Sequence, residues 1–220
     1  MENKDKGTYL KKDRLEMFTD GVFAIAITLL ILEIKIPKHE QVHEAGGLYN
    51  YLLHIWPSYV TYFITFFMIG IYWSNHHWLF EFIIKRTNHF FNMLNILFLM
   101  TIAFMPFTTA IFGDFVMDEE YRNAATTAYS IGVLLPVPPV IFIFLYAMHR
   151  KRLIDPRLSA SFMKKQIIKL TASVTIASVA LAFSFNYPMV SIIMILVTFV
   201  MFFLPPDAPE YDDNSIDITK

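Results

Sequence analysis

The chain has 220 residues, of which 55% are hydrophobic and 17% charged, and its mean hydropathy is +0.46. An ordinary soluble domain carries about 25% charged residues, so this composition argues against a water-soluble single domain. The net charge of −1 provides no basic field for nucleic acid. The absence of cysteine excludes disulfides, thiolate metal sites and cysteine nucleophiles.

Long stretches without Asp, Glu, Lys or Arg predict where helices cross a membrane. Four such stretches, of 27 to 37 residues, lie at 51–80, 87–113, 123–149 and 170–206. A crossing needs about 20 apolar residues, so the last stretch is too long for one helix. We predict that it folds as a hairpin turning at Asn186-Tyr187-Pro188, since Asn suits a helix cap and Pro a first helical turn.

The first crossing has the weakest signal. Its uncharged part, 21–32, is 12 residues long and lies between Asp20 and Glu33, and the Lys-rich segment before it resembles the start of a signal peptide. The apolar pattern continues to Pro37 without a small-residue cleavage site, so we predict an uncleaved helix.

The predicted fold is all-α, with six transmembrane helices in one domain over residues 1–206. The predicted helices are 15–36, 54–82, 90–112, 122–148, 166–185 and 188–204, and three prolines (Pro136, Pro138 and Pro139) should kink or interrupt the fourth. Residues 207–220 form an acidic tail that we expect to be disordered. In this arrangement 15 of the 18 Lys and Arg residues lie on the side of the termini. The positive-inside rule therefore predicts cytoplasmic termini in a multi-pass protein of the cell membrane.

Polar residues at membrane depth are costly and have functional or pairing roles. Asp20 lies about 9 Å past Arg14 along its helix, and Asn95 and His77 lie about 12–13 Å from charges at the same side. We expect one buried polar cluster joining the first three helices, with Asp20 and His77 as members. It is interpreted either as a structural clamp or as a proton relay or ion site. No metal site or cofactor is predicted, because the His77 and Glu81 pair has no third ligand.

The first helix has one apolar face. At about 100° per residue, Phe18, Ile25, Leu29 and Leu32 fall within about 40° of Ile25, with Thr28 on the flank and Asp20 about 140° away. This pattern indicates a helix that is clamped from behind and apolar in front. Such a stripe meets lipid, packs against protein or lines a pore.

The segment from Arg14 to Leu30, RLEMFTDGVFAIAITLL, resembles the first-helix signature of the transmembrane protein 175 family, which comprises lysosomal potassium channels and six-helix prokaryotic homologues. The Trp73-x-x-x-His77 and Asn92-x-x-Asn95 segments resemble the family's second and third helices, so the resemblance covers about residues 14–110. The family motif has Ser where this chain has Thr19, and the hydroxyl is kept.

The resemblance implies a homotetrameric channel that conducts potassium and other monovalent cations across the lipid bilayer, with four copies of the first helix around a central pore. It implies hydrophobic constrictions at Ile25, Leu29 and Leu32 and a hydroxyl layer at Thr28 tied to potassium preference. It also implies a polar network that holds the helix, made of Arg14, Phe18, Thr19, Asp20, Trp73, His77 and Asn95. The chain has no TVGYG segment, so we expect no carbonyl-ring filter.

Two other functions are compatible with the residues. A proton-coupled secondary transporter would use Asp20 and His77, but the sequence shows no inverted repeat. A membrane-embedded enzyme would have to build its site from His76, His77 and Glu81, which lack a second acidic cluster at matching depth. We therefore expect a channel and not an enzyme.

Overall fold

A computed structural model of the protein describes residues 11–149, 153–203 and 207–212. Over these ranges the chain forms helices joined by short turns. The helices are α1 Asp13–Leu29, α2 His39–Glu44, α3 Leu48–His54, α4 Trp56–Trp78, α5 His89–Phe115, α6 Arg122–Leu134, α7 Val137–His149, α8 Ala160–Ser184 and α9 Pro188–Phe203. The described residues contain two isolated backbone bridges and no strand, which confirms the predicted all-α class.

Two helices end in a different helical form. α1 continues into a 3-10 turn over Leu30–Glu33, and α4 continues into a π turn over Leu79–Ile83. We call each long helix, together with any turn that continues it, a leg. The first leg runs from 13 to 33 and the second from 56 to 83, whereas the predicted helices were 15–36 and 54–82. The third and last helices differ from prediction by no more than three residues at either end.

The fourth and fifth predicted helices differ more. The fourth is broken between Leu134 and Val137, at a proline that has no N–H to donate. The fifth begins at Ala160 and not at 166, because the Ser159 hydroxyl caps it by accepting a hydrogen bond from Phe162 N at 3.1 Å.

The connection between the first two legs is partly helical, which the sequence did not indicate. It contains α2 and α3, joined at Gly46 and Gly47, whose φ angles are +74° and +128°. These values favour glycine because a Cβ clashes there. α3 then meets α4 at an angle of 47°.

Contacts at the helix ends show how the legs run. At one end, which we call the basic end, Lys12 Nζ donates to the Phe80 carbonyl at 2.7 Å and Lys85 N donates to the Leu153 carbonyl at 2.8 Å. The starts of α1 and α8 and the end of α4 therefore meet there.

The opposite end joins the other helix termini. Ser58 Oγ, at the start of α4, donates to the carbonyl of Gly113 near the end of α5. Asn123 Nδ2, at the start of α6, donates to the Phe185 carbonyl at the end of α8. The helices thus run up and down as antiparallel legs.

α5 lies at the centre of the bundle and contacts α1, α4, α6 and α7. Its buried Phe91, Phe98 and Ile102 pack in one core with Phe23 of α1 and Phe80 of the π turn. The core therefore fixes the inner face of α1.

Four helical segments of the described chain are long and apolar enough to cross a membrane, or five if α3 and α4 are one bent span. α9 has 16 residues and is about 24 Å long, shorter than a hydrocarbon core of about 30 Å. The structure and sequence thus indicate a membrane protein, while the number of six crossings stays a prediction.

The first residues after α9 contact the start of α8. Lys165 pairs with Glu210 and Lys169 with Asp207, each at 2.6 Å, and Ser159 N donates to the Glu210 carbonyl at 2.9 Å. The expectation of disorder from residue 207 onward overlooked these partners, and residues 213–220 lie outside the described ranges.

Candidate functional site: the two faces of the first helix

The inner face of α1 is apolar apart from one hydroxyl. Leu15, Thr19, Phe23, Ala26 and Leu30 are buried, at the three- and four-residue spacing of one helix face. This face packs against α4 and α5. Much of the opposite side of the helix is exposed.

A chain of three polar side chains, Thr19, Asn95 and His76, ties this inner face to α5 and α4. We call it the clasp. Asn95 Nδ2 donates to Thr19 Oγ1 at 2.9 Å, and Asn95 Oδ1 is 2.7 Å from His76 Nε2. A carbonyl oxygen accepts, so the imidazole carries its proton on Nε2 in this orientation. All three residues are buried.

Aromatic rings enclose the clasp. The His76 ring stacks on the rings of Phe98 and Phe80, with centroid distances of 5.3 and 4.4 Å. The centroid of the Phe23 ring lies 6.2 Å from that of His76. These apolar walls exclude water, so the polar groups of the clasp depend on one another for hydrogen bonds.

The predicted polar cluster is therefore only partly correct. Thr19 and Asn95 meet, but the histidine that joins them is His76 and not His77, and no sequence pattern distinguishes these two neighbours. His77 is exposed and stacks on Trp73 at 5.8 Å. Asp20 is also exposed, where it accepts a hydrogen bond from Trp73 Nε1 at 2.8 Å. The expectation that Asp20 and His77 lie in the buried cluster was wrong.

Arg14 was expected in the same network, but its side chain is exposed and makes no hydrogen bond or ion pair with any described residue. The cation that anchors the start of α1 is Lys12. Besides its bond to the Phe80 carbonyl, it lies 3.9 Å from Glu16 and 3.8 Å from Glu81.

The outer face of α1 is apolar and exposed. Ile25 is 60% exposed, Leu29 42% and Leu32 69%, and Phe18 on the same face is exposed as well. The residues predicted to line one face therefore do share a face that the chain itself leaves uncovered.

Thr28 lies on the flank of this face and is exposed. Its hydroxyl donates to the carbonyls of Ala24 and Ile25, each at 2.9 Å. Because the hydroxyl proton is held by the helix backbone, the oxygen lone pairs are left to accept from, or coordinate, a group outside the helix.

The 3-10 turn changes the geometry at the end of the helix. Side chains three residues apart eclipse in a 3-10 turn. Leu29 and Leu32 therefore point in nearly the same direction, and the exposed face continues through residue 32. Lys35 then pairs with Asp114 of α5 at 2.7 Å, which ties the end of this leg to the bundle.

Chemically, this arrangement provides a helix held from behind and a row of bulky apolar groups with one hydroxyl in front. Among the described residues, no three His, Cys, Asp or Glu side chains are grouped to hold a metal ion. The site thus has the groups for excluding water and contacting a cation.

Comparison with known proteins agrees with the resemblance seen in the sequence. A family model described as "Endosomal/lysosomal potassium channel TMEM175" matches residues 14–106. A crystal structure of a lysosomal potassium-selective channel TMEM175 homologue from Chamaesiphon minutus superposes with a TM-score of 0.74 at 33% identity. It covers 86% of this chain and 95% of that chain.

Individual relatives are named as channels and not as enzymes. A protein of Chamaesiphon minutus named "Potassium channel" is 44% identical over 56% of this chain, which spans 60% of that relative's length. One of Streptomyces collinus with the same name is 38% identical over 67% of this chain and 69% of its own. The Gallus gallus relative, 40% identical over 52% of this chain and 23% of its own, is named an endosomal/lysosomal proton channel.

The match to these bacterial proteins extends over most of their length as well as over the first-helix signature. On this sequence and fold similarity, the chain belongs to the TMEM175 family.

Proposed function

We propose that this chain is a potassium-preferring cation channel, in which α1 from four copies lines a central pore. The observation that carries the proposal is the contrast between the two faces of α1. The clasp and the core fix the inner face, while Ile25, Leu29 and Leu32 on the outer face are left exposed.

An exposed apolar face on a membrane helix suits lipid as well as a pore. Two features favour the pore. The face carries Thr28, whose oxygen lone pairs would find no donor or cation among acyl chains. The bacterial relatives are also named potassium channels.

In the proposed closed pore, rings of four Ile or Leu side chains exclude water and block ions by dewetting. A small outward shift or rotation of α1 widens the rings and wets them. Selectivity then depends on pore width and on the hydroxyl oxygens of Thr28. It should be weaker than that of a carbonyl filter, because hydroxyl groups on side chains replace less of the hydration shell.

The clasp has a positioning role in this mechanism. The clasp sets the rotation of α1 about its own axis through Thr19, Asn95 and His76. Neighbouring residues on a helix point about 100° apart, so a rotation of that size would replace one side chain by the next at the pore axis. Loss of the clasp would turn Ile25 away from the pore axis. We assign Asp20, Trp73 and His77 to a second, exposed network, which is accessible to a neighbouring copy.

We also propose that six legs cross the membrane with both termini in the cytoplasm of the cell. Lys12, Lys85 and the loop that follows α7 all lie at the basic end. This clustering supports the charge asymmetry from which the orientation was predicted.

The proposal is tested by potassium and sodium flux into liposomes that contain the purified protein. We expect Ile25→Ala to raise basal flux and lower the potassium-to-sodium ratio, and Thr28→Val to lower that ratio with less effect on basal flux. Ile168→Ala is the matched control, since Ile168 is 58% exposed on α8. Equal flux and equal selectivity in all three variants would refute the assignment of the pore.

The alternative of a proton-coupled transporter requires Asp20 and His77 to exchange protons. In the structure Asp20 bonds to Trp73, and His77 stacks on the same indole. The flux assay separates the two functions, because a transporter would show saturable flux that moves protons in a fixed ratio to the cation.

A further inference from the structure

A cavity of about 430 Å³ lies within the bundle, and His76 of the clasp is one of the residues that line it. It is lined by residues of α4, α6, α7, α8 and α9 and falls within the size range of about 300–1,000 Å³ that is typical of ligand pockets. Its walls are mostly apolar, with Met68, Val137, Ile143, Phe144, Ala177 and Phe199 among them.

One polar side chain on the wall has a buried atom without a partner. Gln166 of α8 is 91% buried, and its Nε2 makes no hydrogen bond to any described residue. Leaving a buried amide N–H unsatisfied destabilises the fold. The two ends of a carboxamide exchange by rotation about its last bond, so Gln166 can offer the cavity a donor or an acceptor.

The mouth of the cavity carries charges of both signs. Lys169, one turn after Gln166, pairs with Asp207 at 2.6 Å, and both side chains are about half exposed. From there the α8 wall runs past Ser173 to Ala177, eleven residues from Gln166 or about 16 Å along the helix. The cavity is therefore polar and charged at one end and apolar along its depth.

We propose that this cavity binds a zwitterionic phospholipid of the membrane, with an acyl chain in the apolar part and the headgroup at the mouth. The phosphate would face Lys169, the ammonium would face Asp207, and an ester or phosphate oxygen would accept from Gln166. This requires membrane embedding of the chain and does not depend on ion conduction.

The charge pattern selects this occupant over two others. A free fatty acid would place its carboxylate beside Asp207 and bring no cation to balance it. Water alone is disfavoured, because an apolar cavity of this size stays dry unless polar groups hold each molecule.

The test is native mass spectrometry of delipidated protein, to which single probes are returned: phosphatidylethanolamine, phosphatidylglycerol or oleate. We expect one phosphatidylethanolamine per subunit, bound at least tenfold more tightly than either other probe. Gln166→Leu, which removes the donor at similar volume, and Ala177→Leu, which fills the cavity, should each weaken that binding about tenfold or more. Ile168→Leu on the exposed side of α8 is the matched control and should bind as the unmodified chain does.

Equal phosphatidylethanolamine binding in all variants would overturn the proposal, as would a preference for oleate or for phosphatidylglycerol. Thermal unfolding of each variant shows whether it is folded, and Gln166→Leu keeps the test valid if Ala177→Leu does not fold. The flux assay on the same variants reports independently on conduction, so failure of lipid binding does not bear on the channel function.

Discussion

Replacing Asn95 by leucine tests the clasp most completely, because Asn95 is its central member. Asn95→Leu removes the bonds to Thr19 Oγ1 and to His76 Nε2 and leaves both of those buried atoms without a partner. The Leu side chain has the branching of Asn and a somewhat larger volume, so the change introduces no cavity.

The magnitude follows from the number of bonds. Hydrogen bonds between membrane helices contribute about 0.6 kcal/mol on average and about 1.7 at most, because the unfolded chain also finds partners in the membrane. Two bonds therefore predict a loss of about 1.2–3.4 kcal/mol in the free energy of unfolding for Asn95→Leu. Thr19→Val removes one bond and should cost about half as much.

The assay is denaturant unfolding of the purified protein in detergent, followed by tryptophan fluorescence. Thr19→Ser is the control, since it keeps the hydroxyl. The double variant combines Asn95→Leu with Thr19→Val. Both changes remove the same Asn95–Thr19 hydrogen bond, so the double variant should lose less unfolding free energy than the sum of the two single losses. A loss below about 0.5 kcal/mol for Asn95→Leu, or strict additivity in the double variant, would refute the role assigned to the clasp.

Two further predictions concern the ends and the middle of the bundle. Asp155 accepts hydrogen bonds from the Arg157 guanidinium at 2.8 and 3.1 Å, which lowers its pKa from 3.8 to about 2. A lowered pKa stabilises the fold above pH 4 and loses that effect as the pH falls toward 2, so Asp155→Asn should flatten the pH dependence of the melting temperature in that window. The effect should be about 1 kcal/mol, because Arg157 is more than half exposed and solvent screens the pair; an unchanged pH profile would contradict it. Gly132→Ala should destabilise the fold by about 1–3 kcal/mol in the unfolding assay, since a Cβ there would overlap Thr108 of α5. Gly70→Ala, whose Cβ would meet nothing within 4 Å, is its control and should not destabilise, and equal stability of the two variants would contradict the close packing of α5 and α6.

The exposed face of α1 was predictable because helical periodicity depends on sequence alone. Ile25, Leu29 and Leu32 share a face in both the 100° projection and the structure. Asp20 was misplaced because a residue opposite Ile25 was equated with one on the buried face. The buried residues of α1 lie at about 80° to 160° from Ile25, whereas Asp20 lies at about 220° in the same sense, at the edge of that face.

The choice between His76 and His77 depends on tertiary packing. Adjacent helical residues differ by about 100° in direction, and neither sequence neighbour indicates which one faces α5. Once Phe98 and Phe80 are in place, His76 stacks between them and reaches Asn95.

The cavity lined by α4, α6, α7, α8 and α9 and the contacts of residues 207–212 could not be predicted either, because they join segments far apart in the chain. Lys169 and Asp207 are separated by 38 residues, and no local pattern predicts their contact. The helix break before Val137 was predictable, since proline acts locally through its missing N–H.

The proposal that α1 faces a water-filled pore is tested most directly by cysteine accessibility, which the cysteine-free chain makes possible without background. A single Ile25→Cys variant is reconstituted in liposomes and treated with a charged, water-soluble methanethiosulfonate reagent while potassium flux is recorded, with Ile168→Cys as the control. We predict that modification at position 25 changes the potassium flux, while modification at position 168 leaves it unchanged. We also predict that a blocker of potassium flux slows the reaction at position 25. Complete modification at position 25 with no change in flux, or reaction there only with a lipid-soluble reagent, would contradict a pore lined by α1.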